Sequence, residues 1–219
     1  MELALFDLDN TLLAGDSDHA WGQFLIEEGI LDRQFHQTRN DVFYAQYCAG
    51  TLDIAEYLAF QSSILASRNP VELEIWRQRY MKDKIQPMIL PKARALIEAH
   101  RGAEMAIITA TNRFVTELIA KELGVDTLIA CELERDSKGQ FTGRATGIPS
   151  FQEGKVTRLE QWLQQQGKGI DDFSESYFYS DSLNDLPLLR RVSKPVVVDP
   201  DPTLYAHAKK AGWPIISLR

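Results

Sequence analysis

Cysteine is nearly absent from this chain. Cys48 and Cys131 are the only two, they stand far apart, and neither has a partner at the spacing of a metal site or a disulfide framework. A disulfide scaffold and a zinc module are thereby excluded, and two isolated thiols fit the reducing cytoplasm, where the protein is expected. Long apolar runs are missing as well: none approaches the ~20 residues needed to cross a bilayer. The opening Met1-Glu2 has no basic segment behind it and few apolar residues before Asp7, so no secretory signal is expected. Positive charge is in deficit. Lys plus Arg number 24 against 31 for Asp plus Glu, a formal net charge of −7, which disfavours nucleic acid and anionic membrane as partners. There is no internal repeat and no low-complexity segment.

What is present is an ordinary globular composition, 44% hydrophobic and 25% charged over 219 residues, enough for one large domain or one domain carrying an insertion. The chain is organised around its first stretch, Glu2-Leu-Ala-Leu-Phe-Asp-Leu-Asp-Asn-Thr-Leu-Leu13. Leu3 to Phe6 is an apolar run of the length of a buried strand, with no polar alternation. It delivers Asp7 and Asp9 into a polar turn. In extended chain residues i and i+2 point the same way, so the two carboxylates land side by side at a strand's C-terminal end, where open α/β sheets bind ligands. Like charges so close repel, and one carboxyl must hold a proton or the pair must share a cation. A solvated acidic turn is the plain alternative.

From about Asp16 to Lys84 the pattern turns helical, with no good strand. Ala20, Trp21, Phe24 and Leu25 space as one helix, with Ser17 or Asp18 as N-cap and Gly29 as stop. Phe43, Tyr44, Tyr47 and Cys48 mark a second, and Thr51 or Asp53 caps a third that carries Ile54, Leu58 and Leu65. Asn69-Pro70 starts a fourth, with Leu73, Trp76 and Tyr80. An α/β rhythm then resumes to the end, with a hairpin turn at Asp136-Ser-Lys-Gly139 and strands at Ser176 to Tyr179 and Val196 to Val198. The expected architecture is α/β: a doubly wound, mainly parallel, Rossmann-like core over 1–14 and 86–219, with an α-helical cap domain, 15–85, inserted after the first strand. Leu12 to Gly15 and Ile85 to Pro91 are the candidate hinges.

Two further strands end in polar turns, Thr109-Ala-Thr-Asn112 and Asp181-Ser-Leu-Asn-Asp185, and Gly154-Lys155 opens a helix from a loop. Singly, each has a structural reading: Thr109 as an N-cap, Lys155 as a solvated first-turn residue, Asp181 and Asp185 as caps. As an ordered set, Asp7-Leu-Asp9-Asn-Thr11, Thr109, Lys155 and Asp181-x-x-x-Asp185 resemble the motifs of the haloacid dehalogenase superfamily of aspartate-nucleophile phosphohydrolases. The helical insertion after the first motif resembles its phosphoserine-phosphatase-like branch, and the resemblance spans the whole chain.

The resemblance implies a phosphatase that forms an aspartyl-phosphate on Asp7, with Asp9 protonating the leaving alcohol and then activating water. It implies Mg²⁺ held by the Asp7 side chain, the Asp9 carbonyl and the Asp181 side chain, with Thr11 and Asp185 behind them as orienting groups. Thr109, the Ala110 amide, Lys155 and Asn184 are the implied phosphate contacts. Phosphoserine phosphatases have a Glu for the substrate's amine where this chain has Asp16, which suggests an ammonium on the substrate; a helix N-cap is the equal alternative. The family's carboxylate-gripping arginine has no clear match among Arg33, Arg39 and Arg68. Histidinol-phosphate phosphatases are close relatives in that branch, and His19 or Trp21 could face an imidazole. The implied partner is a small phosphate ester, with the protein a monomer or small homo-oligomer. Phosphotransfer to another alcohol, or a phosphoacceptor without turnover, are the competing readings.

Overall fold

Leu3, Ala4, Leu5 and Phe6 form β1 (Leu3–Phe6), and all four are fully buried, which puts this strand in the middle of its sheet. The computed structural model describes Met1–Arg219, the whole chain. The other strands are β2 (Glu104–Asn112), β3 (Thr127–Arg135), β4 (Phe141–Thr146), β5 (Ser176–Ser180), β6 (Lys194–Val198) and β7 (Ile215–Ile216). Their order is β4-β3-β2-β1-β5-β6-β7, with every pairing parallel except the β3–β4 hairpin at the edge. Phe6 lies between Ile107 of β2 and Tyr179 of β5, and β2 runs on to Asn112 beyond the ends of the other two strands. The connection from β1 leads to one half of the sheet and the chain later crosses back, a reversal that opens a crevice at those ends.

The helices are α1 (Ser17–Glu27), α2 (Arg33–Cys48), α3 (Ile54–Ala66), α4 (Pro70–Tyr80), α5 (Gln86–Met88), α6 (Pro91–Ala99), α7 (Arg113–Glu122), α8 (Glu153–Gln165), α9 (Leu186–Arg191) and α10 (Pro202–Ala211). β1 shows why two layers form: Ala4 and Phe6 point to one face and Leu3 and Leu5 to the other. Leu159, Leu163, Leu188, Leu189 and Leu204 of α8, α9 and α10 cover the second face. On the first, Ala93, Ile97, Val115 and Ile119 of α6 and α7 join Trp21, Phe24, Leu65 and Tyr80 of α1, α3 and α4 in one cluster. The helical segment thus shares a hydrophobic core with the sheet. α3 also rests on the β4 hairpin, where the Gln140 amide donates to the carbonyls of Ala66 at 3.1 Å and Arg68 at 2.6 Å.

Some local expectations shift. Asp16, not Ser17 or Asp18, caps α1: its Oδ1 accepts from the His19 amide at 2.8 Å, while Ser17 and Asp18 are buried inside the helix's first turn. Asp53 rather than Thr51 caps α3, accepting from the Ala55 and Glu56 amides. The chain expected to be a hinge from Ile85 stays helical through a π turn at Met81–Ile85 and α5. The extended part is Ile89 and Leu90, and it pairs with the other connection: the Ala14 amide donates to the Met88 carbonyl at 2.8 Å, and the Leu90 amide to Leu12 at 3.2 Å. The two crossings form a short ribbon. No helix is long and apolar enough to cross a membrane.

Candidate active site

Asp7 is the residue after β1 and is 6% exposed. Its Oδ1 accepts from Lys155 Nζ at 2.8 Å, and the same ammonium donates to Asp185 Oδ2 at 2.8 Å. The surface reading of Lys155 is therefore overturned: it is 2% exposed. The loop before α8 is folded tightly enough to turn it inward. A Cβ on Gly154 would lie 2.0 Å from the Pro149 carbonyl, so only glycine fits there, and Gln152 takes a φ of +48°. Burial works to lower the Lys155 pKa, but Asp185 and Asp7 hold it above its ordinary value, so it is a fixed cation.

Thr11, fully buried, ties two strand ends together. Its hydroxyl donates to Asp181 Oδ1 at 2.9 Å, accepts the Asp181 amide at 3.1 Å and lies 3.3 Å from Asp7 Oδ2. Ser180 Oγ donates to Asp185 Oδ2 at 2.7 Å. Asp9 is held from two sides. The Ser17 amide, first in α1, donates to Oδ1 at 2.6 Å, and Thr111 Oγ1 donates to Oδ2 at 2.8 Å; Thr109 Oγ1 is 3.4 Å from Oδ2. Burial, and then the charge of Asp16, push the Asp9 carboxyl up to about 6. Sequence reasoning passed over Thr111. The signal was available: positions 109 and 111 of an extended strand face the same way.

These groups line a cavity of about 360 Å³ between the strand ends and α1, α2 and α3. Asp7, Asp9, Thr109, Ala110, Lys155, Asn184 and Asp185 gather at one end; Asp16, His19, Asn40, Asp41, Tyr44 and Tyr57 line the helical end. Thr11 and Asp181 stand behind Asp7 rather than on the cavity wall. Asn184 is on the wall with its amide engaged: Nδ2 donates to the Tyr47 carbonyl at 3.1 Å and Oδ1 accepts from Gln152 at 3.0 Å. Tyr47 adds a hydroxyl bond to Ser182 Oγ at 2.8 Å, so the end of α2 is fastened to the Asp181–Asp185 turn. Asp16 caps α1 and also lines the cavity.

None of the three candidate arginines reaches the cavity wall. Arg39 pairs with Glu56 at 2.9 Å over the Phe43 ring, Arg68 donates to the Ile30 carbonyl at 3.2 Å, and Arg33 is exposed on α2. Trp21 is core, packed on Phe24, Tyr80 and Phe114, while His19 lines the cavity.

The donor chemistry suits a hard divalent cation. Asp7 and Asp185, both buried, share a single ammonium, and half-buried Asp181 is joined to Asp7 through the Thr11 hydroxyl. Burial, and then the charge of Asp7, raise the Asp181 pKa well above the carboxylate range, the signature of a charge that lacks a counter-ion. No three Asp, Glu, His or Cys side chains converge as a complete cage. A cation that keeps several of its waters and takes few carboxylates, as Mg²⁺ does, would fit a pair such as Asp7 and Asp181, which share the Thr11 hydroxyl.

Comparison with known proteins agrees with this geometry. The family model of haloacid dehalogenase-like hydrolases matches residues 4–190. A histidinol-phosphatase of Neisseria meningitidis serogroup C is 43% identical over 219 residues, covering 99% of both chains. A Mycobacterium tuberculosis phosphoserine phosphatase is 28% identical, over 99% of this chain and 70% of its own. A crystal structure of a Bordetella pertussis Tohama I protein superposes with a TM-score of 0.94 at 44% identity, over 100% of this chain and 99% of that one. A phospho-aspartyl intermediate analogue of phosphoserine phosphatase shares the fold, with a TM-score of 0.68 at 20% identity over 99% and 93% of the two chains.

Proposed function

This chain belongs to the haloacid dehalogenase-like hydrolase family and is a phosphatase, and from that premise we propose that it hydrolyses a small phosphate monoester bearing an amine and no carboxylate. The charge of the cavity wall carries this reading. Asp7, Asp9, Asp16, Asp41 and Asp185 line it, and Lys155 is the only Lys or Arg that does. Lys155 is already committed to Asp7 and Asp185, so a substrate carboxylate would meet negative charge and no free guanidinium. An ammonium meets the reverse at Asp16 and Asp41. Histidinol phosphate has that chemistry, an amine and an imidazole without a carboxylate, and phosphoserine does not. The name of the Neisseria relative points the same way.

The residues support a two-step displacement. An Asp7 carboxylate oxygen bonds to phosphorus as the ester P–O bond breaks, and the departing oxygen takes a proton from Asp9. Asp9 then removes a proton from water, whose oxygen bonds to phosphorus as the P–O bond to Asp7 breaks, releasing phosphate and restoring both side chains. Thr109, the Ala110 amide and Lys155 surround the position of the transferring oxygens. Mg²⁺ on Asp7, Asp181 and the Asp9 carbonyl supplies charge neutralisation for the phosphoryl group when bound.

The test is phosphate release, with Mg²⁺ and with chelator, from histidinol phosphate, phosphoserine, phosphoethanolamine, a sugar phosphate, a nucleotide and 4-nitrophenyl phosphate. The reading requires chelator-sensitive release that favours histidinol phosphate over phosphoserine and that drops by at least about 10³-fold in Asp7→Asn. Preference for phosphoserine would refute the charge argument, and an active Asp7→Asn would refute the nucleophile.

A further inference from the structure

Asp9 has two oxygens in unlike company, and the difference decides where a proton can sit. Oδ1 faces the Ser17 amide at 2.6 Å. A backbone N–H can only donate, so Oδ1 must keep an electron pair toward it in every state. That amide is also one of the unpaired donors at the positive end of α1, which reinforces the choice. Ser17 cannot easily withdraw, because its carbonyl accepts from the buried Tyr80 hydroxyl at 2.7 Å. Oδ2 faces the Thr111 hydroxyl at 2.8 Å. A hydroxyl donates or accepts by rotating, so it suits an ionised and a protonated Oδ2 equally. Thr109 is less suited to that task. It is 3.4 Å from Oδ2, and its oxygen already accepts the Thr111 amide at 3.1 Å.

We propose that Thr111 is a positioning residue for proton transfer, holding the Asp9 carboxyl so that Oδ2, and not Oδ1, gives the proton to the leaving oxygen and takes it back from water. The proposal rests on the phosphomonoesterase reading above. In the first step the Oδ2–H bond, held at rest by the Thr111 oxygen, swings to the oxygen leaving phosphorus and passes its proton there, and the Thr111 hydroxyl turns to donate to the carboxylate that remains. In the second, Oδ2 recovers a proton from the attacking water and the Thr111 hydroxyl turns back to accept. The two holders belong to different parts of the molecule: Thr111 to β2 and Ser17 to the first helix of the helical segment. Asp9 is therefore aligned only while α1 sits where it does against the sheet.

The experiment compares Thr111→Val, which keeps the shape and loses the hydroxyl, with Thr111→Ser, which keeps the hydroxyl. The quantity compared is kcat/KM, which covers the steps through departure of the leaving group and leaves out the water step that all esters share, on the best alkyl ester of the panel and on 4-nitrophenyl phosphate, whose leaving group departs without a proton. Thr111→Val should lower kcat/KM on the alkyl ester about tenfold or more while changing kcat/KM on 4-nitrophenyl phosphate far less, and Thr111→Ser should restore most of the loss. In an Asp9→Asn background the same Thr111→Val change should cost almost nothing, because the proton it positions is gone. Melting temperatures identify a variant that fails to fold, and for such a variant the Thr111→Ser arm and its coupling to Asp9→Asn decide. Equal losses on both esters, or an undiminished loss in the Asp9→Asn background, would overturn the proposal while leaving the phosphatase reading intact. Wild-type protein without activity on any phosphomonoester would overturn that reading instead.

Discussion

The two ends of the cavity are built on different principles. At the sheet end, Asp7, Thr11, Lys155, Asp181 and Asp185 hold one another through a continuous set of hydrogen bonds, Asp9 is held beside them by Thr111 and the Ser17 amide, and most of these side chains are nearly inaccessible. At the helical end, Asp41 and Tyr44 are exposed at the mouth and His19 projects from α1, with aromatic rings between them. A site that must stabilise charge developing on a phosphoryl group needs preorganised donors and cannot tolerate movement. A site that selects a head group needs only the right sign of charge and enough room. In the proposed reaction, chemistry would thus be anchored on strand ends, and selectivity would be carried by helices that share the sheet's core.

That contrast predicts unequal responses to mutation. The largest belongs to the sheet end: Lys155→Met leaves Asp7 and Asp185 buried without their cation and should cost about 3–5 kcal/mol, measured by denaturant unfolding at pH 7. The cost should shrink at pH 5, since protonated carboxyls no longer need a partner; an exposed-like loss below 1 kcal/mol would show that the ion pairs are not preorganised. At the helical end, Asp16→Asn keeps an N-cap of equal quality while removing the charge, so it separates the two roles of that residue. KM for the amine-bearing ester should rise about tenfold, roughly 1.4 kcal/mol, with the melting temperature little changed. A melting loss without a change in KM would leave Asp16 as a cap alone. Asp41→Asn, at the exposed mouth, should raise KM only about two- to fivefold.

An effect of another kind, a dependence of stability on pH, concerns Asp18, which belongs to neither set. It is buried, bonds the Tyr57 hydroxyl through Oδ2, and leaves Oδ1 without a partner. Burial pushes its carboxyl up to about 8, far above the ordinary 3.8. The folded state therefore keeps a proton that the unfolded chain has lost, and this group makes stability fall as pH rises from about 4 to about 8. Asp18→Asn should melt higher than the natural protein at pH 8, with the gap closing toward pH 5. A gap independent of pH would mean that Asp18 is not carrying the proton.

Much of this was legible in the residue order. The strand from Leu3 to Phe6, the polar turns at Asp7 and Asp181, and the helical periodicity between Asp16 and Lys84 are local signals, each set by a few consecutive residues, whereas the turn expected at Thr109-Ala-Thr-Asn112 is still part of β2. Alternation along β2 puts Thr111 on the same side as Thr109, but its partner, Asp9, is 102 positions away, and the residue order does not say that the two meet. Lys155 is marked only as a member of the ordered motif set; taken singly it reads as solvated, because its burial depends on Gly154 and the tight loop from Pro149, a close approach that periodicity does not report.

By itself, then, the sequence determined the order of strands and helices, the strand-end placement of the reactive residues and the acidic balance of the chain, because periodicity, capping and turn chemistry act over a few neighbouring residues. Only the tertiary structure decided that Asp9 is clamped between β2 and α1, that Arg33, Arg39 and Arg68 stay out of the cavity, and that Asp16 and Asp41 enter it together. Those outcomes depend on how α1 and α2 pack against the sheet, a balance of contacts between residues far apart in the chain that no short stretch encodes.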